Sequence, residues 1–209
     1  MSIFNIQNIS EENIENYKTC FEQNGIFKNE ENIRWQFLDR LNYKQYVDIA
    51  YDNNINKIAA IYAVAPVSFK IGENKMIGTQ SLDTITDIEY RGKGWFTKLA
   101  KNVYQKLIDD NVSLVYGFPN GNSIYGFVKK LDWHILDPVP FLIKPLKSKY
   151  FTNKFMFLRF LPNINLYLST NSNKNNFSLI QENHFPKEVN KLWQKFSKNI
   201  LVSVDRNKD

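Results

Sequence analysis

Apolar side chains recur with the spacing of a helix face in several segments of the chain. An apolar residue at every third or fourth position is typical of an amphipathic helix that packs on a core. Ser10, Glu11 and Glu12 are typical of a helix start, and Gly25 of a helix end. The predicted helices contain Ile14, Tyr17 and Phe21; Ile33, Phe37 and Leu41; Phe96, Leu99, Val103 and Leu107; Ser123 to Leu131; and Val189, Leu192 and Phe196.

Between these helices lie apolar and β-branched runs that predict strands. The turn-prone Asp52-Asn53-Asn54 separates two of them, which indicates an antiparallel pair. The predicted strands and extended segments are Ile3 to Ile6, Tyr46 to Tyr51, Lys57 to Ile71, Lys75 to Glu89, Val112 to Phe118, Trp133 to Leu146 with Pro138 and Pro140, and Ile200 to Val204. Strands and helices in this order predict an α/β fold.

The character of the chain changes after residue 146. Residues 147–176 combine an aromatic-rich stretch with the polar loop Ser169 to Asn176, which is typical of a linker. The rest of the chain carries strand patterns around a helix that begins near Pro186. We therefore predict a domain at 1–146, a connector at 147–176, and the start of a second, incomplete α/β unit at 177–209.

Composition narrows the class of protein. Hydrophobic residues make up 43% of the 209 residues, enough for a folded core, and no apolar run approaches the ~20 residues that a membrane helix requires. The single cysteine, Cys20, has no partner for an internal disulfide, and the first residues lack a basic region followed by an apolar stretch. These features predict a cytoplasmic protein with no integral membrane segment.

A formal net charge of +6 permits an anionic partner, whether nucleic acid, an acidic membrane surface or a phosphorylated cofactor. The lysines are spread along the chain instead of forming one block, and most aromatic residues occupy apolar-periodic positions. The pattern therefore does not favour nucleic-acid binding.

The most informative segment joins a predicted strand to an amphipathic helix through Gly92 and Gly94. Such a turn aims successive main-chain N–H groups at one point, where the helix dipole attracts an anion. Glycines let oxygen atoms approach the backbone, and Arg91 and Lys93 add positive charge. An ordinary strand-to-helix turn is the alternative. A P-loop is excluded because no Gly-Lys-Ser/Thr ends the turn, and the dinucleotide fingerprint because no glycine stands three residues after Gly94.

The segment Tyr90-Arg91-Gly92-Lys93-Gly94-Trp95-Phe96 resembles the cofactor motif of the GNAT acetyltransferase superfamily, Arg/Gln-x-x-Gly-x-Gly/Ala, with Phe96 in place of the small residue. The resemblance continues through Val115-Tyr116-Gly117-Phe118-Pro119-Asn120 and Asn122-Ser123. It extends to Lys130-Leu131-Asp132-Trp133, where many members read Lys-Leu-Gly-Phe. It covers about residues 1–146. The resemblance implies a mixed, mostly antiparallel central sheet flanked by helices, with a splayed strand pair that holds the cofactor.

The implied cofactor is acetyl-CoA or another short acyl-CoA. Its pantetheine arm is expected between the strand that ends at Thr86 and the strand from Val112 to Phe118, and its pyrophosphate at the glycine turn. Asn120 and Ser123 have an equally good alternative role in a turn and helix cap. The cofactor-binding residues that the resemblance implies are Ile85, Thr86, Arg91, Gly92, Lys93, Gly94, Trp95, Phe96, Asn120 and Ser123.

The implied reaction is direct attack by an amine, whose ammonium form must first lose a proton. Asp83 is the preferred base, because burial among apolar and hydroxylated neighbours raises a carboxylate pKa; a structural, hydrogen-bonded aspartate is the alternative. His134 is a second candidate base. Many family members protonate the departing thiolate with a tyrosine at the position of Val128, so Tyr125, Tyr116 or water has to replace it.

The predicted function is therefore N-acetyl transfer from acetyl-CoA to a primary amine, with an amino sugar of surface polysaccharide synthesis as the first choice of acceptor. The alternative is a non-catalytic, GNAT-like module that binds acyl-CoA. No metal is predicted, because Cys20, His134 and His184 lack ligand spacing. The expected partners are a small-molecule amine, no nucleic acid, and a homodimer as a permitted assembly. The end of the chain resembles a bacterial subgroup in which a second GNAT-like segment follows the first.

Overall fold

The computed structural model describes residues 4–39, 43–137, 142, 144–166 and 180–206. Their strands are β1 (Phe4–Gln7), β2 (Tyr46–Asp52), β3 (Lys57–Ile71), β4 (Asn74–Thr86), β5 (Val115–Gly117) and β6 (Val202–Val204). Their α-helices are α1 (Ile14–Gln23), α2 (Glu30–Phe37), α3 (Trp95–Asp109), α4 (Ile124–Lys130), α5 (Lys149–Lys154) and α6 (Glu188–Ser197), with short 3-10 turns at Ile88–Tyr90 and Met156–Leu158.

The chain forms two compact units, Met1–Ile135 with Phe185–Asp209, and Leu136–His184. The first holds a six-stranded sheet in the order β1-β2-β3-β4-β5, with β6 paired to β3. All pairings in it are antiparallel except that of β4 with β5, which is parallel. The predicted mixed, mostly antiparallel sheet flanked by helices is confirmed.

Each face of this sheet carries its own hydrophobic cluster. On one face α1 and α2 pack through Tyr17 and Ile33 against Ile61, and all three side chains are buried. On the other face α3 packs through Leu99 against Tyr62. Alternate residues of a strand point to opposite faces, so consecutive residues of β3 serve both clusters.

β4 has a bulge in its pairing with β3, and its other edge is paired for only a short stretch. Ala63 pairs with Asp83 and Val64 with Ser81, so Leu82 has no partner on β3. On its other side β4 pairs with β5 only from Thr79 to Ser81. Among the described residues, no strand borders this edge of β4 from Leu82 to Thr86, so the strands are splayed where the resemblance implies the cofactor.

Several predicted boundaries are corrected. The strand predicted to reach Glu89 ends at Thr86, because the Asp87 side chain accepts a hydrogen bond from the Glu89 N–H and starts a 3-10 turn. The strand predicted at Val112 to Phe118 shortens to β5, and residues 133–137 are not a strand. Ile3, Leu41, Pro138, Pro140 and the linker Ser169 to Asn176 lie outside the described residues.

The last part of the chain adds to the first sheet. β6 pairs with β3 through Phe69↔Val204 and Ile71↔Val202. The Lys70 ammonium donates to the carbonyl oxygens of Ser197 and Ile200, both at 3.1 Å. The domain boundaries and the second α/β unit from residue 177 stay a prediction, but the described strand there extends the sheet of the first unit.

Candidate active site

The helix α3 begins with main-chain donors that no described residue satisfies. Gly92 and Gly94 have φ angles of +77° and +79°, the left-handed region that glycine adopts without a steric cost. Within the described part of the chain, no acceptor is bonded to the N–H groups of residues 92–96. Residues 91–94 are exposed, so water can satisfy these donors, and a diphosphate has the charge and the acceptors to replace that water.

These donors border a cavity of about 600 Å³. The end of β4, the turn before α3, the first turn of α3 and the beginning of α4 line it. The structure brings to this cavity the predicted residues Ile85, Thr86, Arg91, Gly92, Gly94, Trp95, Phe96, Asn120, Ser123 and Tyr125. Sequence reasoning assigned no cofactor or catalytic role to the other lining residues, Asn24, Ile26, Thr84, Tyr90, Thr97, Asn122, Gly126 and Lys130.

A smaller cavity of about 110 Å³ lies in the splay between β4 and β5. Ser81 and Leu82 line it from β4, and Gly117 from β5. It shares Asn120 and two further lining residues with the larger cavity. The two cavities therefore adjoin, one at the start of α3 and one where the strands separate.

The turn before α3 is held by a buried carboxylate. Asp87 accepts hydrogen bonds from the Glu89 N–H, the Lys57 ammonium and the Asn24 amide, each at 3.1 Å. Burial acts to raise the pKa of Asp87, but these donors outweigh it and leave the pKa below its ordinary value. The Asn24 side chain also accepts from the Ile88 N–H at 3.2 Å. Asn24 thus fixes the end of α1 to the turn that carries the glycines.

Tyr90 and Lys93 anchor the same turn. The Tyr90 hydroxyl donates to Asp52 at 2.9 Å, and burial, followed by this bond, raises the pKa of Tyr90 to about 12. The Lys93 ammonium lies 4.7 Å from the centre of the Tyr90 ring, a cation–π contact, and Lys93 does not line the cavity. Arg91 lines it, while its Nε donates to the Thr86 carbonyl at 3.2 Å.

Phe96, which replaces the usual small residue of the family motif, is accommodated by a glycine of α4. Its ring lies 5.2 Å from that of Phe127 and 6.0 Å from that of Tyr62. A Cβ added to Gly126 would stand 2.7 Å from the Phe96 Cε1 atom, closer than real contacts. The position of the Phe96 ring therefore requires glycine, which has no side chain, at position 126.

Asp83, the predicted base, is placed on the face of the sheet that α1 covers, outside both cavities. It is buried; one carboxylate oxygen accepts from the Tyr17 hydroxyl at 2.9 Å and the other from the Lys28 ammonium at 2.5 Å. Burial and then the Asp83 charge raise the pKa of Tyr17, so the hydroxyl keeps its proton. Donors thus engage both carboxylate oxygens of Asp83, as expected for the alternative of a structural, hydrogen-bonded aspartate.

Of the other residues predicted to transfer protons, one lines a cavity and the rest do not. His134 is exposed and borders neither cavity, whereas the exposed Tyr125 borders the larger one. The Tyr116 hydroxyl donates to Gln80 at 3.0 Å, and Tyr116 lies outside both cavities. The Asn120 side-chain oxygen accepts from the Ser123 N–H at 3.1 Å, which is the helix-start role weighed for it. Among the described residues, no cluster of ligands for a metal ion occurs.

Residues 5–136 match the sequence profile of the acetyltransferase (GNAT) domain, and the chain belongs to this family. Solved structures share the fold. An acetyltransferase from Trypanosoma brucei superimposes with a TM-score of 0.55 at 12% identity, covering 68% of this chain and 99% of that chain. A predicted acetyltransferase with acetyl-CoA from Clostridium acetobutylicum gives 0.54 at 16% identity, covering 67% and 96%.

Glucosamine-6-phosphate N-acetyltransferase from Arabidopsis thaliana gives a TM-score of 0.52 at 16% identity, covering 68% of this chain and 97% of that chain. At these identities the likeness establishes the fold alone. No curated protein sequence matches the chain. Within the described ranges, no helix has the length and apolar character needed to cross a membrane.

Proposed function

We propose that the chain is an N-acyltransferase that moves an acetyl or other short acyl group from acyl-CoA to a primary amine by direct attack. The observation that carries this proposal is the row of unsatisfied N–H groups at residues 92–96, which opens into a cavity of about 600 Å³. Family membership supports acyl transfer in general. The N–H groups and the positive end of the α3 dipole suit a pyrophosphate.

The adjoining splay supports a site for the pantetheine arm and the thioester. Past Ser81, the edge of β4 that faces β5 is free of strand partners among the described residues, so its main-chain groups can bind the amides of the arm. A bound acyl-CoA supplies the acyl group as a thioester. Main-chain N–H groups directed at the thioester oxygen would stabilise the charge that develops there as the amine attacks.

Proton transfer is assigned to water in this proposal. Asp83 has both oxygens engaged by Tyr17 and Lys28, and His134 is outside both cavities. Tyr125 borders the larger cavity but not the splay, so the thiolate takes its proton from solvent. A thiol with a pKa near 8.5 leaves without a dedicated acid.

For the acceptor we propose an amino sugar of surface polysaccharide synthesis. The support is that one solved structure with the same fold, from Arabidopsis thaliana, is a glucosamine-6-phosphate N-acetyltransferase; the larger cavity itself is assigned to the cofactor. A cytoplasmic location and the subgroup with a second GNAT-like segment remain part of the proposal.

The second candidate is a binding module without turnover. It is favoured by Val128, which stands where many family members have a tyrosine that acts as the general acid, and by the ion pair of Asp83 with Lys28. A thiol-release assay with acetyl-CoA and a panel of amines separates the two. Turnover with an amino sugar supports the enzyme, and acetyl-CoA binding without turnover on any amine supports the module.

A matched pair of glycine variants tests the binding site. Gly94→Ala places a side chain at φ +79° beside the proposed pyrophosphate site. The control, Gly72→Ala, also places a side chain at a positive φ, +59°, but in the turn between β3 and β4, away from that site. Neither new Cβ meets another atom within 4 Å, so each variant is expected to lose roughly 1–2 kcal/mol of stability from backbone strain. Only Gly94→Ala should weaken acetyl-CoA binding in calorimetry; equal affinities for the two variants would contradict the proposed site.

A further inference from the structure

The larger cavity is bordered by cations and by no acid. Among the described residues that line it, Arg91 and Lys130 carry positive charge and none is an aspartate or glutamate. Arg91 belongs to the turn that precedes α3, so the proposed pyrophosphate site accounts for it. Lys130 is the last residue of α4, and neither the pyrophosphate nor the pantetheine arm accounts for it.

The position of Lys130 along α4 separates it from the splay. Ser123, which precedes α4, borders both cavities, so the beginning of the helix lies at the splay. Lys130 borders only the larger cavity, and at 1.5 Å per residue it stands about 9 Å along the helix from Ile124. A molecule whose arm enters the splay therefore has its nucleotide portion toward Lys130.

Lys130 is also available for a ligand. It is exposed, and none of the ion pairs between described residues includes it. Coenzyme A carries, beyond its pyrophosphate, a phosphate on the ribose 3′ oxygen, and a phosphate monoester is largely dianionic at neutral pH, with a second pKa of about 6. A lysine ammonium binds such a group as a point charge.

We propose that Lys130 binds the ribose 3′-phosphate of coenzyme A, and that the end of α4 thereby distinguishes this cofactor from 3′-dephospho-coenzyme A. The inference rests on the proposed function, because it takes the pyrophosphate and the pantetheine arm to lie as argued above. It adds a phosphate subsite at a residue outside the glycine turn. Lys129 provides a matched control, since it is exposed on the same turn of α4 and does not line the cavity.

Calorimetric titration of coenzyme A and of 3′-dephospho-coenzyme A into the wild-type chain, Lys130→Gln and Lys129→Gln tests the subsite without requiring turnover. The wild type and Lys129→Gln should bind coenzyme A about tenfold more tightly than the dephospho form, the gain of one charged contact. Lys130→Gln should bind the two molecules within about twofold of each other. High salt should reduce the wild-type preference, because the contact is exposed to solvent.

The outcomes separate the subsite from the proposed function. If Lys130→Gln keeps the wild-type preference, or Lys129→Gln loses as much of it, the assignment to Lys130 is overturned. Equal binding of both molecules to the wild type overturns the subsite and leaves the proposed function standing. Binding of neither molecule overturns both. Matching thermal unfolding curves for the three proteins exclude a folding defect as the cause of any difference.

Discussion

The contact between Phe96 and Gly126 makes a quantitative prediction about a double-mutant cycle. A Cβ at position 126 would stand 2.7, 3.3 and 3.4 Å from three carbons of the Phe96 ring. Overpacking of this kind costs about 1–3 kcal/mol, whereas replacing a helical glycine by alanine in open space gains up to about 1 kcal/mol. Gly126→Ala should therefore lower the free energy of unfolding by roughly 0–3 kcal/mol in the wild-type background.

The sign should reverse when the ring is removed. In the Phe96→Ala background the new Cβ meets no ring, so Gly126→Ala should raise the free energy of unfolding by up to about 1 kcal/mol. The predicted coupling between the two sites is about 1–3 kcal/mol. Urea unfolding of the four proteins measures it. An effect of Gly126→Ala that is equal in both backgrounds within about 0.5 kcal/mol would refute the packing argument.

Two further predictions concern the buried carboxylates. Asp87→Asn should lower the free energy of unfolding by roughly 1–3 kcal/mol at neutral pH, because it removes the charge that three donors stabilise. The folded-state pKa of Asp87 lies below the ordinary pKa of an aspartate, so this stability is present above that ordinary pKa and is lost as the pH falls through the folded pKa. Urea midpoints of variant and wild type should converge in that acidic range, and a gap independent of pH would contradict the pairing. Asp83→Asn and Lys28→Gln should both reduce stability while leaving the pH dependence of kcat/KM in place; a 100-fold or greater loss of turnover in a stably folded Asp83→Asn protein would instead make Asp83 the base.

The glycine turn and the helix after it could be predicted because their signals are local. The apolar period of α3 and the two glycines before it are visible in consecutive residues, and the structure shows that both glycines have a positive φ. The resemblance then implied the sheet and the splay, which the structure has. The end of β4 was misplaced because the Asp87 side chain bonds a main-chain N–H two residues later, a local contact that strand propensity does not contain.

The surroundings of Asp83 could not be predicted, because they depend on contacts between residues that are distant in the sequence. Its partners Tyr17 and Lys28 stand 66 and 55 residues away in the chain, and only the packing of α1 and of the segment after it on the sheet brings them to Asp83. The local sequence left open whether Asp83 is a base with a raised pKa or a hydrogen-bonded structural residue, and tertiary contacts supplied two donors. The choice between Lys129 and Lys130 likewise depends on how α4 is rotated about its axis, which seven helical residues do not reveal.

The central claim is that the main-chain N–H groups at the start of α3 bind the pyrophosphate of acyl-CoA. Amide chemical shifts of the ¹⁵N-labelled chain, titrated with coenzyme A and separately with pantetheine, test it most directly. The account predicts that the amides of Gly92, Lys93 and Gly94 shift strongly with coenzyme A and little with pantetheine, which lacks the diphosphate. Coenzyme A that binds while these three amides stay unchanged would contradict it.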